Sequence, residues 1–336
     1  MRWASLDGNG LEFVQRLLAG HYDLSGITVR AAARGFVAET FVIEHPSGQY
    51  FAKIVPVSRY SAHFEESLPV LAALARAGIT QIPQVFLTVR GGYSVRSEDR
   101  ILALFSHIAG KWTPEYDFER YVNLIATIHC RTQDVVAKPK RDTFALPCAA
   151  SLIKGVKAVL LRSPLDEYER RLKKIVGGLA GELEQDVERV QEWGDRLRVC
   201  RDIEFVITHG DGPGNVVKDE SGEIYLIDWD DVLLAPRERD TWFHLRDSGA
   251  QDNNAYHGDG PAFLGYYRRI CPGYKVNYVA LSFYVCLRYL DDLDGFISRI
   301  MEPGQALAEK KKHLALLEKD CLGWLRPWMR RVQLEL

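Results

Sequence analysis

Residues Thr208–Asn215 read THGDGPGN, and shortly afterwards Tyr225–Asp231 read YLIDWDD. The first stretch sets a His, an Asp and an Asn among glycines and a proline. The second closes an apolar run with three acids. Between them, Val216–Val217 and Ile224–Leu226 flank a Ser221–Gly222 turn signal, which predicts a short hairpin. The two ends of a hairpin lie side by side, so Asp211, Asn215 and Asp228 are expected to share one small volume. Two carboxylates and an amide oxygen are hard oxygen donors, suited to Mg²⁺ rather than zinc. Mg²⁺ uses few protein carboxylates and takes substrate phosphates, which leaves one acid free for an attacking hydroxyl. This donor set is that of phosphoryl transfer, in which the protein positions groups and neutralises charge.

Such chemistry needs a lysine for the phosphates and a helical glutamate to aim it. Lys53 lies in YFAKIVP, an apolar run in which a lone charge needs a partner. Glu65 and Glu66 open the helical pattern that follows, and Glu65 fits the register better.

Working outward, ETFVIEH and GQYFAKIVP predict a hairpin turned at PSG. FEESLPVLAALARAG predicts a helix stopped by Gly78, with Pro69 in its first turn. PQVFLTV and DRILALFSHI predict two further strands. From about Trp112 the pattern turns helical: FERYVNLIATIHCRT carries Tyr121, Leu124, Ile125 and Ile128 on one face. The charged stretch from Leu165 to Val199 predicts two helices broken near Gly177–Gly178, and Thr241–Leu336 predicts further helices. The division expected is a strand-rich part, residues 1–109, and a larger helical part, residues 110–336, with a ligand cleft between them.

Composition narrows the function classes. Apolar residues make up 47% of the 336-residue chain and the formal net charge is −2, so no basic excess points to nucleic acid or an anionic membrane surface. No run approaches a membrane span and the N-terminus MRWASLDGNG lacks a signal-peptide core, which predicts a cytoplasmic protein. The six cysteines form no C-x-x-C pair and read as buried reduced thiols.

The ordered combination H-G-D, N, I-D-W-D and A-P-x-E-R-D (Ala235–Asp240) resembles the aminoglycoside phosphotransferase family, most closely its spectinomycin phosphotransferase branch. The likeness runs from about Val29 to Phe243. It implies an α+β, bilobal, protein-kinase-like fold: a small antiparallel-sheet N-lobe with one main helix, and a larger, mostly helical C-lobe. It implies ATP and Mg²⁺ as cofactors, Asp211 as the catalytic base, and Asn215 and Asp228 as metal ligands. Lys53, held by Glu65, would contact the phosphates. LFSHIAG resembles the hinge, with Phe105 behind the adenine, the Ser106 carbonyl and the Ile108 amide on its edge. His209 resembles the structural histidine of the catalytic loop, and Asp240 the acid that braces it. One departure stands out: Asn215 follows Asp211 by four residues where the family spacing is five.

The implied acceptor is a hydroxyl of a small cationic antibiotic, an aminoglycoside or aminocyclitol, whose ammonium groups call for carboxylates. Asp247, Asp252, Asp291 and Asp292 are the candidates. The alternatives are a kinase of another hydroxylated metabolite or a protein serine, and a degenerate kinase that holds nucleotide without turnover.

Overall fold

The computed structural model describes residues 8–32, 38–58, 61–245 and 260–334. The chain starts with helix α1 (Gly8–Tyr22), followed by strands β1 (Thr28–Ala31), β2 (Glu39–His45) and β3 (Gly48–Pro56). Helix α2 (Ser61–Arg76) precedes β4 (Val95–Ser97), β5 (Arg100–Ser106) and β6 (Gly110–Trp112). Helices α3 (Phe118–Cys130), α4 (Ala149–Leu161) and α5 (Glu167–Val199) lead to β7 (Val206–Thr208), β8 (Val216–Asp219), β9 (Ile224–Leu226) and β10 (Leu233–Ala235). The remainder holds α6 (Glu238–Thr241), α7 (Gly260–Ile270), α8 (Tyr278–Ile300), α9 (Leu307–Leu316), a π-helical segment Leu317–Leu325, and α10 (Arg326–Leu334). The α+β class expected from the sequence is the one observed.

Two compact units divide the chain. One comprises Met1–Arg141, Val206–Ala235 and Phe243–Gly273; the other comprises Asp142–Phe205, Pro236–Trp242 and Tyr274–Leu336.

The first unit is built on an antiparallel sheet of order β1-β2-β3-β5-β4. Alternation of side chains sets its two faces. Phe41, Ile43, Ala52, Ile54, Leu102 and Leu104 point to one face and are buried with Phe13, Val14, Leu17 and Leu18 of α1. Lys53 therefore points to the other face, where α2 lies: its Nζ is 5.6 Å from the Phe64 ring, and that ring is 6.5 Å from Phe105. A three-stranded sheet, β6-β8-β9, and the pair β7–β10 complete the strands of this unit. α3 buries Tyr121, Leu124, Ile125 and Ile128, the face expected from the sequence. It packs with α7, and Phe118, Tyr121, His244 and Phe263 form an aromatic cluster there.

The second unit is helical. α5 carries a buried stripe, Leu172, Val176, Leu179, Leu183, Val187 and Val190. α8 buries Phe283, Tyr289, Leu290, Leu293 and Ile297. Trp242, Trp324 and Trp328 cluster nearby, with 5.3 Å between the rings of Trp242 and Trp328. Lys310, 7% exposed, donates at 2.6 Å to both Asp166 and Glu169 at the start of α5.

Several local expectations need correction. α1 was not anticipated from the sequence. Pro69 sits inside α2 rather than in its first turn, because the helix starts at Ser61. PQVFLTV is no strand: it contributes an isolated bridge, Val85 to Phe105, and the short strand beside β5 is β4. α5 runs unbroken through Gly177 and Gly178 for 33 residues. Glycine costs about 1 kcal/mol within a helix, and the continuous apolar stripe outweighs that. The cysteines are not all reduced: Cys130 and Cys271 form a disulfide, with Cα atoms 6.6 Å apart where α3 meets α7. A separation of 141 residues hid that pairing from spacing rules. Cys148, Cys200, Cys286 and Cys321 are outside any disulfide, and of these Cys200 is exposed rather than buried. No described helix is long and apolar enough to cross a membrane.

Candidate active site

The β8–β9 hairpin forms as its sequence predicts, with Val216 opposite Leu226 and Gly222 at φ 85° in the turn. Its two ends are tied together beyond the ladder. Ile227 N–H donates to the Asn215 carbonyl at 2.9 Å, and His209 Nε2 donates to the Ile227 carbonyl at 2.8 Å. His209 Nδ1 in turn accepts from the Asp211 amide at 3.2 Å, so the ring is the Nε2-protonated tautomer. Through His209 and Ile227, the residue before Asp228 is fixed to the loop that carries Asp211 and Asn215. The structural role expected for His209 is visible in these bonds.

The loop itself is sharp. Gly210 takes φ 89°, a conformation that glycine adopts without cost, and Gly212–Gly214 form one turn of 3₁₀ helix. With four residues from Asp211 to Asn215, the loop still brings the two side chains together. Asn215 Nδ2 donates to the Asp211 carbonyl at 2.8 Å and to Asp211 Oδ2 at 3.3 Å. The amide nitrogen is thereby committed to Asp211, and Oδ1 is the atom left for a cation.

At the other end, the W of I-D-W-D acts as an anchor. Trp229 is 2% exposed, its Nε1 donates to the Leu226 carbonyl at 2.9 Å, and its ring lies 4.7 Å from that of His209. Asp228 and Asp230, on either side, both reach Lys53: Nζ is 2.6 Å from Asp228 Oδ1 and 2.7 Å from Asp230 Oδ2. Asp228 has φ 64°, a left-handed conformation rare outside glycine, tolerated by Asp, and characteristic of functional sites.

Electrostatics within this triad pull in both directions. Burial disfavours the Lys53 ammonium, but Asp230 and Asp228 together outweigh it and hold its pKa above the ordinary lysine value. Burial raises Asp228, yet the Lys53 charge wins and keeps that carboxyl below the usual carboxylate range. Asp230 goes the other way, because burial and the neighbouring Asp228 charge prevail over Lys53. One ammonium thus faces two acids whose pKa values are pushed in opposite directions.

Glu65 does not meet Lys53. Its carboxylate accepts from Arg96 through Nε, at 3.1 and 3.0 Å, and through Nη2, and from Ser94 Oγ at 3.0 Å. The Arg96 hydrogen bond is the main reason the Glu65 pKa is lowered. The expected Lys53–Glu65 pair is therefore replaced by two others, Lys53 with Asp228 and Asp230, and Glu65 with Arg96. The physical reason is proximity: β4 places Arg96 beside α2, and the I-D-W-D run offers Lys53 two carboxylates at once.

Phe105 is 6% exposed on β5, on the same sheet face as Lys53, since Lys53 pairs with Ala103 in the β3–β5 register. The Ser106 amide donates to the Gln84 carbonyl at 2.8 Å and the Ser106 hydroxyl accepts from the Gln84 amide at 2.9 Å. Among the described residues the Ile108 amide has no hydrogen-bond partner, while its carbonyl accepts from Gly110. Asp240 is buried on α6. Of the acids expected to meet an acceptor, Asp247 and Asp252 lie outside the described residues. Asp291 and Asp292 lie on α8, where Asp292 accepts from Arg288 at 3.0 Å and Asp291 is exposed.

Two participants escaped the sequence reading. Asp230 sits in the quoted I-D-W-D run, and alternation about a buried Trp229 would have placed it on the side of Asp228. Arg96 lies in the turn-rich link before β5, where nothing local marks it as the partner of a helix residue 31 positions away.

The donor set suits a hard divalent cation. Asp228 and Asp230 already hold a cationic group, and the Asn215 amide oxygen adds a neutral donor. Among the described residues no group of three or more His, Cys, Asp or Glu side chains is placed to hold a metal ion.

A profile of the phosphotransferase enzyme family (APH) matches residues 28–272. A search of curated protein sequences finds no match. Among solved structures, a spectinomycin phosphotransferase in complex with ADP and spectinomycin aligns with TM-score 0.70 at 18% identity, over 91% of this chain and 94% of that one. A microcompartment-associated aminopropanol kinase aligns with TM-score 0.62 at 16% identity, over 96% and 98%. An ethanolamine kinase from Plasmodium vivax aligns with TM-score 0.57 at 11% identity, over 93% and 90%. At these identities the alignments establish a shared kinase-like fold.

Proposed function

The chain belongs to the phosphotransferase enzyme family, and we propose that it transfers the γ-phosphoryl group of ATP to a hydroxyl of a small, amine-bearing acceptor. The observation that carries this reading is the joint arrangement of Asp211, Asn215, Asp228 and Lys53. A base, a neutral oxygen donor and an acid–ammonium pair are tied through Ile227 and His209 into one unit of backbone and side chains.

In this reading residues 1–109 hold the nucleotide and residues 110–336 supply the catalytic loop and the acceptor site. Phe105 lies behind the adenine, with the Ser106 carbonyl and the Ile108 amide on its edge. Lys53 neutralises charge on the α- and β-phosphates. Asn215 and Asp228, joined by Asp230, would hold Mg²⁺, which would supply charge neutralisation for the transferring phosphoryl group. Asp211 orients the acceptor hydroxyl and accepts its proton as the new P–O bond forms. The transition state is loose, so these groups contribute by holding the hydroxyl in line and by neutralising charge.

The kinases that share the fold support an amine-bearing acceptor. Spectinomycin, aminopropanol and ethanolamine each join a hydroxyl to an amine. An aminocyclitol antibiotic of the spectinomycin type is the first candidate, with Asp291 and Asp292 of α8 as the proposed acids of the acceptor-binding half, and a small amino alcohol is the second.

A panel of aminocyclitols, aminoglycosides, aminopropanol, ethanolamine and choline, incubated with the protein and γ-labelled ATP, tests this. Transfer to an amine-bearing alcohol by the wild type, and its loss in Asp211→Ala, is the expected result. Transfer only to amine-free hydroxyls would remove the acceptor class. Equal, background ATP hydrolysis in wild type and Asp211→Ala would favour a nucleotide binder without turnover.

A further inference from the structure

The loop from Asp211 to Asn215 is shaped by aromatic side chains that the reaction itself does not require. β6 pairs with β8, setting Trp112 opposite Val217, and the Thr113 amide donates to the Val216 carbonyl at 3.3 Å. From that position Trp112 Nε1 reaches back and donates to the Gly214 carbonyl at 2.8 Å. The Tyr116 hydroxyl makes a longer contact, 3.5 Å, to the next carbonyl back, that of Pro213. Tyr121 closes the third side: a Cβ added to Gly212 would come within 2.5 Å of its hydroxyl oxygen. The rings of Tyr116 and Tyr121 stand 5.2 Å apart.

Trp112 is 57% exposed, so apolar burial accounts for little of its placement. Its specific interaction with the loop is the bond to Gly214. That carbonyl belongs to the Gly214–Asn215 peptide, and fixing it fixes the plane from which Asn215 starts. The Asn215 amide N–H from the same peptide donates to the Gly212 carbonyl at 3.0 Å, and its side chain donates to Asp211. A rotated peptide would break these bonds together and turn the Asn215 side chain away from Asp211. Glycines on both sides of Pro213 leave the loop little stiffness of its own.

We propose that Trp112, supported by Tyr116, is a positioning residue for the phosphotransferase site: by holding the Gly214–Asn215 peptide it keeps the Asn215 amide oxygen presented to the divalent cation. The inference rests on the phosphoryl-transfer reading of the site.

The test is Mn²⁺ binding to the full chain in the presence of the non-hydrolysable analogue AMP-PNP, followed by the paramagnetic resonance of free Mn²⁺. Trp112→Phe keeps a ring and removes the donor. It is expected to weaken Mn²⁺ binding about fivefold, the worth of one hydrogen bond. ATP turnover should fall in kcat by a similar factor, with KM for ATP little changed, and excess Mn²⁺ should restore it. Tyr116→Phe should act in the same direction with a smaller effect, because its contact is longer. In an Asn215→Ala background, Trp112→Phe should weaken Mn²⁺ no further, since the two changes act through one group. Wild-type affinity in both Trp112→Phe and Tyr116→Phe would overturn the proposal. So would an equal loss from Trp112→Phe with Asn215 present or absent, which would mark a general structural role. Failure of the wild-type chain to bind Mn²⁺ with AMP-PNP would overturn the phosphotransferase reading and this inference with it; the other two outcomes overturn the positioning role alone.

Discussion

Lys53 Nζ donates to Asp228 Oδ1 at 2.6 Å across 175 residues of sequence. The contact joins a strand of the five-stranded sheet to the end of the β8–β9 hairpin, and Asp230 completes it on the other side of the ammonium. One ammonium is thus shared between two carboxylates.

Lys53→Ala removes the counter-charge of two acids and, on the proposed function, the phosphate contact. Transfer is expected to fall about 10²- to 10³-fold in kcat, the range for losing one preorganised charge at a transition state. Steady-state kinetics with γ-labelled ATP checks this. A variant within a few-fold of wild type would show that the ammonium does not act on the phosphates.

Arg96 holds the glutamate that the family resemblance pairs with Lys53. Arg96→Ala frees Glu65 to draw the ammonium away from Asp228 and Asp230, leaving both acids to the metal. The KM for Mg²⁺-ATP is expected to fall by about two- to fivefold, the scale of an exposed ion pair. An unchanged or higher KM would show that Arg96–Glu65 is a brace of α2 rather than a rival pairing.

Gly212→Ala drives a methyl group into the Tyr121 hydroxyl, 2.5 Å away. Overpacking of this kind costs about 1–3 kcal/mol and should lower the melting temperature. Because the ring carbon beneath the hydroxyl is 3.5 Å away, Tyr121→Phe should restore most of the loss in the double variant. Additive losses in the two variants, read by thermal melts, would place the conflict elsewhere.

The second unit carries a buried charge cluster that sets its pH range. For Asp166 and Glu169 burial opposes ionisation, but hydrogen bonds from Lys310 win and keep both below the usual carboxylate range. Burial lowers Lys310, while the hydrogen bonds of the two acids prevail and raise it. A depressed carboxylate stabilises the fold above its unfolded pKa and loses that contribution as pH falls toward the folded value. The raised lysine stabilises at all lower pH and loses its contribution as pH climbs through its folded value. Stability should therefore be flat around neutrality, fall below about pH 4 and fall again at strongly alkaline pH. Lys310→Met leaves buried Glu169 beside partly buried Asp166 with only Arg162, at 3.9 Å, as a nearby cation, and a loss of about 3 kcal/mol is expected. Denaturant melts from pH 3 to 8 would show it, with the variant gaining relative stability as acid protonates the carboxylates. A variant as stable as wild type at pH 7 would mean that the cluster is hydrated enough to need no cation.

Much of the site was legible because its parts are local. Gly210, Pro213 and Gly214 announce a sharp loop, Ser221–Gly222 announces the turn, and the hairpin between them makes the meeting of its ends a matter of chain geometry. Lys53 was legible for a different reason: an ammonium in an apolar strand demands a partner. Its partner was not legible. Choosing between Glu65 and the I-D-W-D acids depends on where β4 places Arg96, and no local pattern encodes that.

The sequence by itself determined which residues carry charge, which backbone segments bend, and hence that the two ends of one hairpin, at Asn215 and Ile227, lie side by side. It also determined the helical face of α3, since a 3.6-residue period leaves that face no other use. Tertiary structure alone decided the pairings that cross long separations: Lys53 with Asp228 and Asp230, Glu65 with Arg96, Cys130 with Cys271, and Trp112 with the Gly214 carbonyl. It also decided that α5 passes unbroken through two glycines. The reason is the same throughout. Hydrogen bonds and ion pairs act within a few ångströms, and only packing of the whole chain determines which distant groups come that close.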